Sequence, residues 1–249
     1  MPRTYKSFSR LFVANDLRPH GKLTLGHDQT SYLLSVLRMK AGDSVILFNG
    51  SDGAWLARIA DPHRKGVTLE LVEQTAQQTP PSDLWFGFAP LKTGRLDYLV
   101  QKATEMGAGT IQPVITRYTQ VSKLRADKLA ANIVEAAEQC EVLTVPMLGE
   151  EIALADLLRD WQQVHGLRRL AFCDEVAPSA SPLQMLSRLE GLPIGLLIGP
   201  EGGFSEEERQ LLLAQPFVLP VSLGPRILRA DTAAVAALAL VQATIGDWR

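Results

Sequence analysis

Two apolar runs, each halted by a Gly-Pro turn, stand close together late in the chain. The first is Leu196-Leu197-Ile198-Gly199-Pro200-Glu201-Gly202-Gly203-Phe204-Ser205. The second is Val221-Ser222-Leu223-Gly224-Pro225-Arg226-Ile227-Leu228-Arg229. A helix-like stretch follows each. Strand, turn and helix in this order describe the ligand-binding edge of an open parallel sheet, where the strands end. Two such turns can build one pocket, because glycines admit a ligand close to the backbone. The phosphate loop is excluded, since no Gly-Lys-Ser/Thr follows Gly203, and the dinucleotide fingerprint is excluded by its spacing. Glu201 beside the pocket would repel a phosphate, so a neutral or cationic ligand with an adenine-like edge suits it better. The plainer alternative is two ordinary strand-to-helix turns.

The rest of the chain divides into two rhythms. To about Gln78, the runs Ser44–Phe48, Ala54–Ile59 and Val67–Val72 are short, apolar and separated by turn clusters, the pattern of a small barrel or sandwich. A helix is expected at Gln29–Arg38. Gln74–Ser82, ending in Pro80-Pro81, reads as a linker. Strands then alternate with helices. Strands are expected at Leu84–Ala89, Thr110–Ile115, Leu170–Cys173, Ile194–Ile198 and Val218–Leu223. Helices are expected at Arg95–Met106, closed by Gly107, and at Asp127–Cys140. This alternation predicts a parallel sheet covered by helices. Ser205-Glu206-Glu207-Glu208 is a capping box opening a further helix. The last helix, about Thr232–Ile245 and capped by Asp231 or Thr232, is apolar nearly all round. A second subunit is the simplest cover for it.

Composition limits the function classes. A hydrophobic content of 46% is ample for a core, and the formal net charge of −2 argues against an indiscriminate nucleic-acid coat. No apolar run is long enough to span a membrane, and no secretory signal is expected at the N-terminus. Cys140 and Cys173 form no motif and read as two buried free thiols of a reducing cytoplasm. His20, His27, His63 and His165 make no cluster at metal-ligand spacing, so no metal is expected. Trp55, Trp85 and Trp161 read as core. Local bases (Arg3, Lys6, Arg10, Arg18 and Lys22, then Arg117, Lys123, Arg125 and Lys128) can serve phosphates or simply be solvated.

The two glycine turns, with Thr232-Ala233, resemble those of the bacterial 16S ribosomal RNA uracil-N3 methyltransferases (RsmE-type). These belong to the SPOUT, or α/β-knot, superfamily. The likeness includes Lys92, Gln101-Lys102-Ala103-Thr104-Glu105-Met106-Gly107, Glu135-Ala136-Ala137-Glu138-Gln139-Cys140, Val36-Leu37-Arg38, Gly42-Asp43 and Phe48-Asn49-Gly50. It implies an N-terminal PUA-like β-barrel for RNA over 1–76 and a trefoil-knot methyltransferase domain over 77–249. It also implies S-adenosylmethionine as cofactor, a homodimer, a cytoplasmic setting and 16S rRNA or the 30S subunit as partner. The cofactor residues so implied are Leu197, Ile198, Gly199, Pro200, Gly202, Gly203, Leu219, Ser222, Leu223, Gly224, Ile227 and Leu228. Three departures stand out: Glu141-Val142 after Cys140, Ala230-Asp231-Thr232-Ala233 near the last loop, and Ser31-Tyr32-Leu33 before Val36.

Uracil N3 carries a proton, so methylation there requires that proton to leave as the methyl arrives. Arg229 is expected to stabilise the developing anion or hold a phosphate, and Asp231 to orient it or accept the proton. An Arg229–Asp231 ion pair at a helix start is the structural alternative. Arg10, Arg38, Lys92 and Lys102 are candidate RNA contacts. Lys102 shares a polar helix face with Glu105. Two competing classes remain: an RNA-binding module with a dead pocket, and a Rossmann-type oxidoreductase. The paired turns count against the first, and the missing Gly-x-Gly-x-x-Gly against the second.

Overall fold

A computed structural model describes residues 8–121, 123–177 and 181–249. Arg3 and Lys6 lie outside the described residues. The chain forms two compact units, residues 1–81 with 137–145, and residues 82–136 with 146–249. Among the described residues, no helix is long and apolar enough to cross a membrane.

The first unit is built on a five-stranded sheet of β1 (Arg10–Phe12), β2 (Lys22–Thr24), β3 (Ser44–Phe48), β4 (Ala54–Asp61) and β5 (Thr68–Ala76), in the order β1-β3-β4-β5-β2. Only β1 and β3 run parallel. Its core gathers Leu11, Val45, Leu47, Ala57, Ile59 and Leu69, whose alternation along the strands turns them to one face. Ile46, Phe48 and Ala54 face the other way and pack with Ala137 and Leu143. The helix expected at 29–38 is instead a short α1 (His27–Ser31) that widens into a π-helical turn over Tyr32–Val36. Arg38 then takes a left-handed φ of 56°, which ends the helix. β5 extends to Ala76, so the linker begins later than its polarity suggests, because Gln74 remains paired with Trp55 and Ala76 with Ala54.

The second unit is a seven-stranded parallel sheet. Its strands are β6 (Trp85–Phe88), β7 (Thr110–Ile115), β8 (Met147–Leu148), β9 (Ile152–Ala153), β10 (Arg169–Cys173), β11 (Ile194–Ile198) and β12 (Val218–Val221). The order is β12-β10-β11-β6-β7-β8, with β9 also paired to β7. β11 is buried at every position, as its unbroken apolar run requires of a central parallel strand. β12 contains Pro220 and lies at the edge, the place in a sheet that tolerates a missing N–H.

Helices α2 (Thr93–Glu105) and α3 (Ala126–Gln139) fall where their periodicity places them. Two more lie where the sequence reading assigns none, α4 (Leu154–His165) and α5 (Pro182–Ser187). Leu154, Leu157, Leu158 and Trp161 of α4 are all buried and follow a helical i, i+3, i+4, i+7 stripe. Trp161 sits edge-on to Trp85, ring centroids 5.1 Å apart, and donates Nε1–H to the Arg168 carbonyl at 2.8 Å. α6 (Glu206–Leu213) and α7 (Ala230–Ile245) follow the two glycine turns.

Candidate active site

The carboxyl ends of β10, β11 and β12 converge on one cavity of about 280 Å³. Adjacent parallel strands all point their carboxyl ends the same way, so successive loops meet at one edge. The first glycine turn supplies Ile198, Gly199, Pro200, Glu201, Gly203 and Phe204. The second supplies Ser222, Leu223, Gly224, Pro225, Arg226, Ile227 and Leu228, and the start of α7 adds Ala230 and Ala233. Gly203 at φ 71° and Gly224 at φ 109° occupy backbone regions that side chains strain to reach. These two residues turn the chain back at the cavity's edge.

The expected capping box is present. Ser205 Oγ accepts from Glu208 N–H at 3.2 Å, and Glu208 Oε2 accepts from Ser205 N–H at 2.9 Å. The other Glu208 oxygen accepts from Arg117 N–H at 2.7 Å, and the Arg117 guanidinium reaches Glu207 at 3.3 Å. The start of α6 is thereby tied both to its own turn and to the loop after β7.

A third wall comes from residues the sequence reading passed over. Cys173, Asp174, Glu175, Val176 and Ala177, in the loop after β10, face the cavity together with Arg209 of α6. Asp174 is only 5% exposed. Its carboxylate accepts from Arg209 Nε and from Val176 N–H, and its own N–H bonds the Val221 carbonyl at 3.1 Å. One residue therefore joins the ends of β10 and β12 to the helix that follows β11. An acidic residue directly after an apolar strand at a sheet's carboxyl edge was the signal for it. Cys173 is partly exposed as a residue, yet burial of its thiol pushes the pKa up to about 12. Cys140 is likewise only partly buried, which corrects the expectation of two buried thiols.

Of the expected cofactor residues, Ile198, Gly199, Pro200, Gly203, Ser222, Leu223, Gly224, Ile227 and Leu228 line the cavity. Leu197, Gly202 and Leu219 do not. Leu197 is fully buried in the core behind β11. Gly202 faces a shallow hollow beside Tyr118. Leu219 lies within β12, paired with Ala171. Alternation along a strand sends neighbouring side chains to opposite faces.

Arg229 is exposed between the cavity residues Leu228 and Ala230 and occupies the N-cap of α7 with extended backbone angles. This corrects the expected cap, because the helix starts before Asp231, whose carboxylate instead accepts from Thr232 N–H at 2.8 Å inside the first turn. Among the described residues no ion pair joins Arg229 to Asp231, so the structural alternative for Arg229 is not realised.

The candidate RNA contacts lie in different settings. Lys92 and Arg38 are exposed. Lys102 pairs with Glu105 at 2.6 Å and lies 5.5 Å from the Tyr98 ring centroid. Arg10 lays its guanidinium over the Phe48 ring at 4.8 Å, and burial there lowers its pKa. Three of the four bases of the second basic segment are paired: Arg117 with Glu207 at 3.3 Å, Arg125 with Asp127 at 3.0 Å and Lys128 with Asp97 at 2.5 Å.

The chain matches known proteins over nearly its whole length. Residues 78–242 match an RNA methyltransferase domain family, and residues 25–72 an RNA methyltransferase PUA domain family. It is 33% identical to the ribosomal RNA small subunit methyltransferase E of Rickettsia conorii, covering 94% of this chain and 95% of that protein. It is 32% identical to the protein of the same name from Synechocystis, covering 95% and 78%. Among solved structures, the ribosomal RNA small subunit methyltransferase E of Neisseria gonorrhoeae, bound to S-adenosyl methionine, superposes with a TM-score of 0.86 at 25% identity. That match covers 97% of this chain and 100% of that one. A methyltransferase of Legionella pneumophila in complex with the same cofactor gives a TM-score of 0.78 at 29% identity, covering 95% and 97%.

Proposed function

The chain belongs to the ribosomal RNA small subunit methyltransferase E family, and from that premise we propose that it uses S-adenosylmethionine to methylate N3 of a specific uridine in 16S ribosomal RNA. The observation that carries this reading is the convergence of both glycine turns and the loop after β10 on one cavity. Its volume, about 280 Å³, is near the lower end of the roughly 300–1,000 Å³ common for small-molecule sites.

The lining suits this cofactor. Apolar Ile198, Leu223 and Leu228 fit an adenosine, the turns offer main-chain donors and acceptors to its edges, and Glu175 favours a cation, while Glu201 is paired with Arg95 at 3.6 Å. When bound, S-adenosylmethionine supplies an electrophilic methyl on a sulfonium. The residues of this chain must then present a uracil edge and manage its proton. Arg229, exposed at the lip, stabilises negative charge growing on the uracil ring, and Asp231, two residues on in the first turn of α7, orients that arginine or takes the N3 proton. N3 is a pairing-edge atom, so the target uridine must be unpaired or flipped out. Arg38 and Lys92 are the proposed phosphate contacts, with Arg10 and Lys102 secondary because both already have partners.

Several finer features belong to the same proposal. Residues 1–76 would form a PUA-like β-barrel that holds RNA and 77–249 the methyltransferase domain. The second of these would carry the trefoil knot that the family resemblance implies. A homodimer is supported by Val235, Ala236, Ala239 and Leu240, apolar residues left partly exposed along α7, and by Ile227, 85% exposed. Light scattering should return twice the chain mass. The reaction would take place in the cytoplasm, where small subunits are assembled.

Calorimetry with S-adenosylmethionine and with NAD, followed by methyl transfer to 30S subunits and mass mapping of the RNA, tests the function. Binding of the first cofactor alone and a methylated uridine support the reading. NAD binding, or cofactor binding without any transfer to RNA, overturns it.

A further inference from the structure

We propose that Tyr118 is a stacking platform for an unpaired base of the RNA substrate, set beside the cofactor cavity on the same sheet edge. The inference rests on the methyltransferase reading and deepens it by naming where the RNA is gripped.

Tyr118 lies in the loop after β7, at the carboxyl end of a strand two places from β11. The residue is 45% exposed. The backbone beneath it is held firmly. Thr116 N–H bonds Thr119 Oγ1 at 3.0 Å, Thr119 N–H returns to the Thr116 carbonyl at 3.1 Å, and Arg117 N–H bonds Glu208. The side chain packs against Gly202, where an added Cβ would stand 3.3 Å from Tyr118 Cβ. Absence of a side chain at Gly202 is what lets the tyrosine lie this close to the turn. Gly202 itself is flanked by Glu201 and Gly203, which wall the cavity on the turn's other side.

A rigid, exposed ring next to a site that must receive a flipped base has one obvious chemical partner. Every base presents a π-face, and single-stranded RNA is gripped mainly by stacking on such rings. The neighbours suit the same ligand. Arg117 and Gln120 are exposed in the same hollow; the Arg117 guanidinium is held by Glu207 at 3.3 Å, and Gln120 carries an amide that can both donate to and accept from a base edge.

The test uses the full chain and three substitutions, Tyr118→Ala, Tyr118→Phe and Tyr118→Trp. With 30S subunits as substrate, Tyr118→Ala should raise KM for RNA by about ten-fold or more. Its calorimetric Kd for S-adenosylmethionine and its Tm should stay at the wild-type values, and the Tyr118→Phe and Tyr118→Trp proteins should keep the wild-type KM. In parallel, the indole fluorescence added by Tyr118→Trp should be quenched by a short oligouridylate. The Tyr118→Phe protein should compete for that oligouridylate, and the Tyr118→Ala protein should not. An unchanged KM in Tyr118→Ala, a Tyr118→Phe protein as impaired as Tyr118→Ala, or no quenching would overturn the platform. If the wild-type protein transfers no methyl at all, the functional reading fails instead, and the quenching experiment still decides the platform.

Discussion

Arg209 donates through a single nitrogen, Nε, to both carboxylate oxygens of Asp174, at 3.2 Å to Oδ1 and 3.0 Å to Oδ2. The carboxylate side chain is 4% exposed and the arginine 20%. The pair bridges the loop after β10 and the helix launched by the first glycine turn. It therefore controls how two cavity walls are spaced.

Asp174→Ala should destabilise the fold by about 2 kcal/mol or more, because it leaves a partly buried guanidinium without its partner. Arg209 keeps some access to water and a 4.0 Å approach to Glu206, which limits the loss. The matching fall in Tm is roughly 4–8 °C for a chain of this size. Calorimetry should also show S-adenosylmethionine binding weakened by about ten-fold, equivalent to roughly 1.4 kcal/mol. A variant as stable and as tight-binding as wild type would separate this pair from the site.

Gly203→Ala forces a Cβ onto a residue held at φ 71°. The backbone conformation costs roughly 1–2 kcal/mol for a residue with a side chain. Glu175 Oε1, 3.3 Å from the new Cβ, can rotate aside, so the cost is mainly conformational. Urea unfolding should show that loss, and cofactor affinity should fall with it as the turn relaxes.

Arg229→Ala tests the proposed chemistry. The side chain is exposed and makes no cap hydrogen bond, so stability should change by less than about 0.5 kcal/mol. Loss of one well-placed charge-stabilising group should lower kcat by roughly 10²-fold or more. Wild-type turnover would remove Arg229 from the mechanism.

His165 sets a pH dependence. Its ring lies 4.3 Å from Trp161 and 5.7 Å from Trp85, and burial first, then the Arg168 charge, hold its pKa below the ordinary value. The folded protein thus prefers the neutral ring, while the unfolded chain takes up a proton near pH 6.5. The stability this contributes is fully present above about pH 6.5 and is lost as pH falls toward the folded pKa. His165→Phe keeps an aromatic contact and removes the titration. Its urea midpoint should fall less than that of wild type between about pH 7 and 5.5; parallel curves would exclude His165 as the cause.

The residue order by itself determined the local chemistry of the site. Ser205 and Glu208 form their capping box, Thr110–Ile115 and Ile194–Ile198 are strands with the expected bounds, and both glycine turns end where apolar runs stop. These features depend on neighbours a few residues away, through hydrogen bonds, backbone freedom and side-chain period, so they are written in short stretches of chain. α4 was equally legible in its leucine and tryptophan stripe, and went unread.

Only the tertiary structure decided which loops meet. Asp174 and Arg209 are 35 residues apart, and Tyr118 and Gly202 farther still. Nothing local to either member names its partner. The strand order β12-β10-β11-β6-β7 brings them together, because parallel strands align their carboxyl ends whatever their separation along the chain. Alternation along β11 separates Leu197 from Ile198, but only the packing of the sheet decides that Leu197 faces the core while Ile198, one residue on, reaches the cavity.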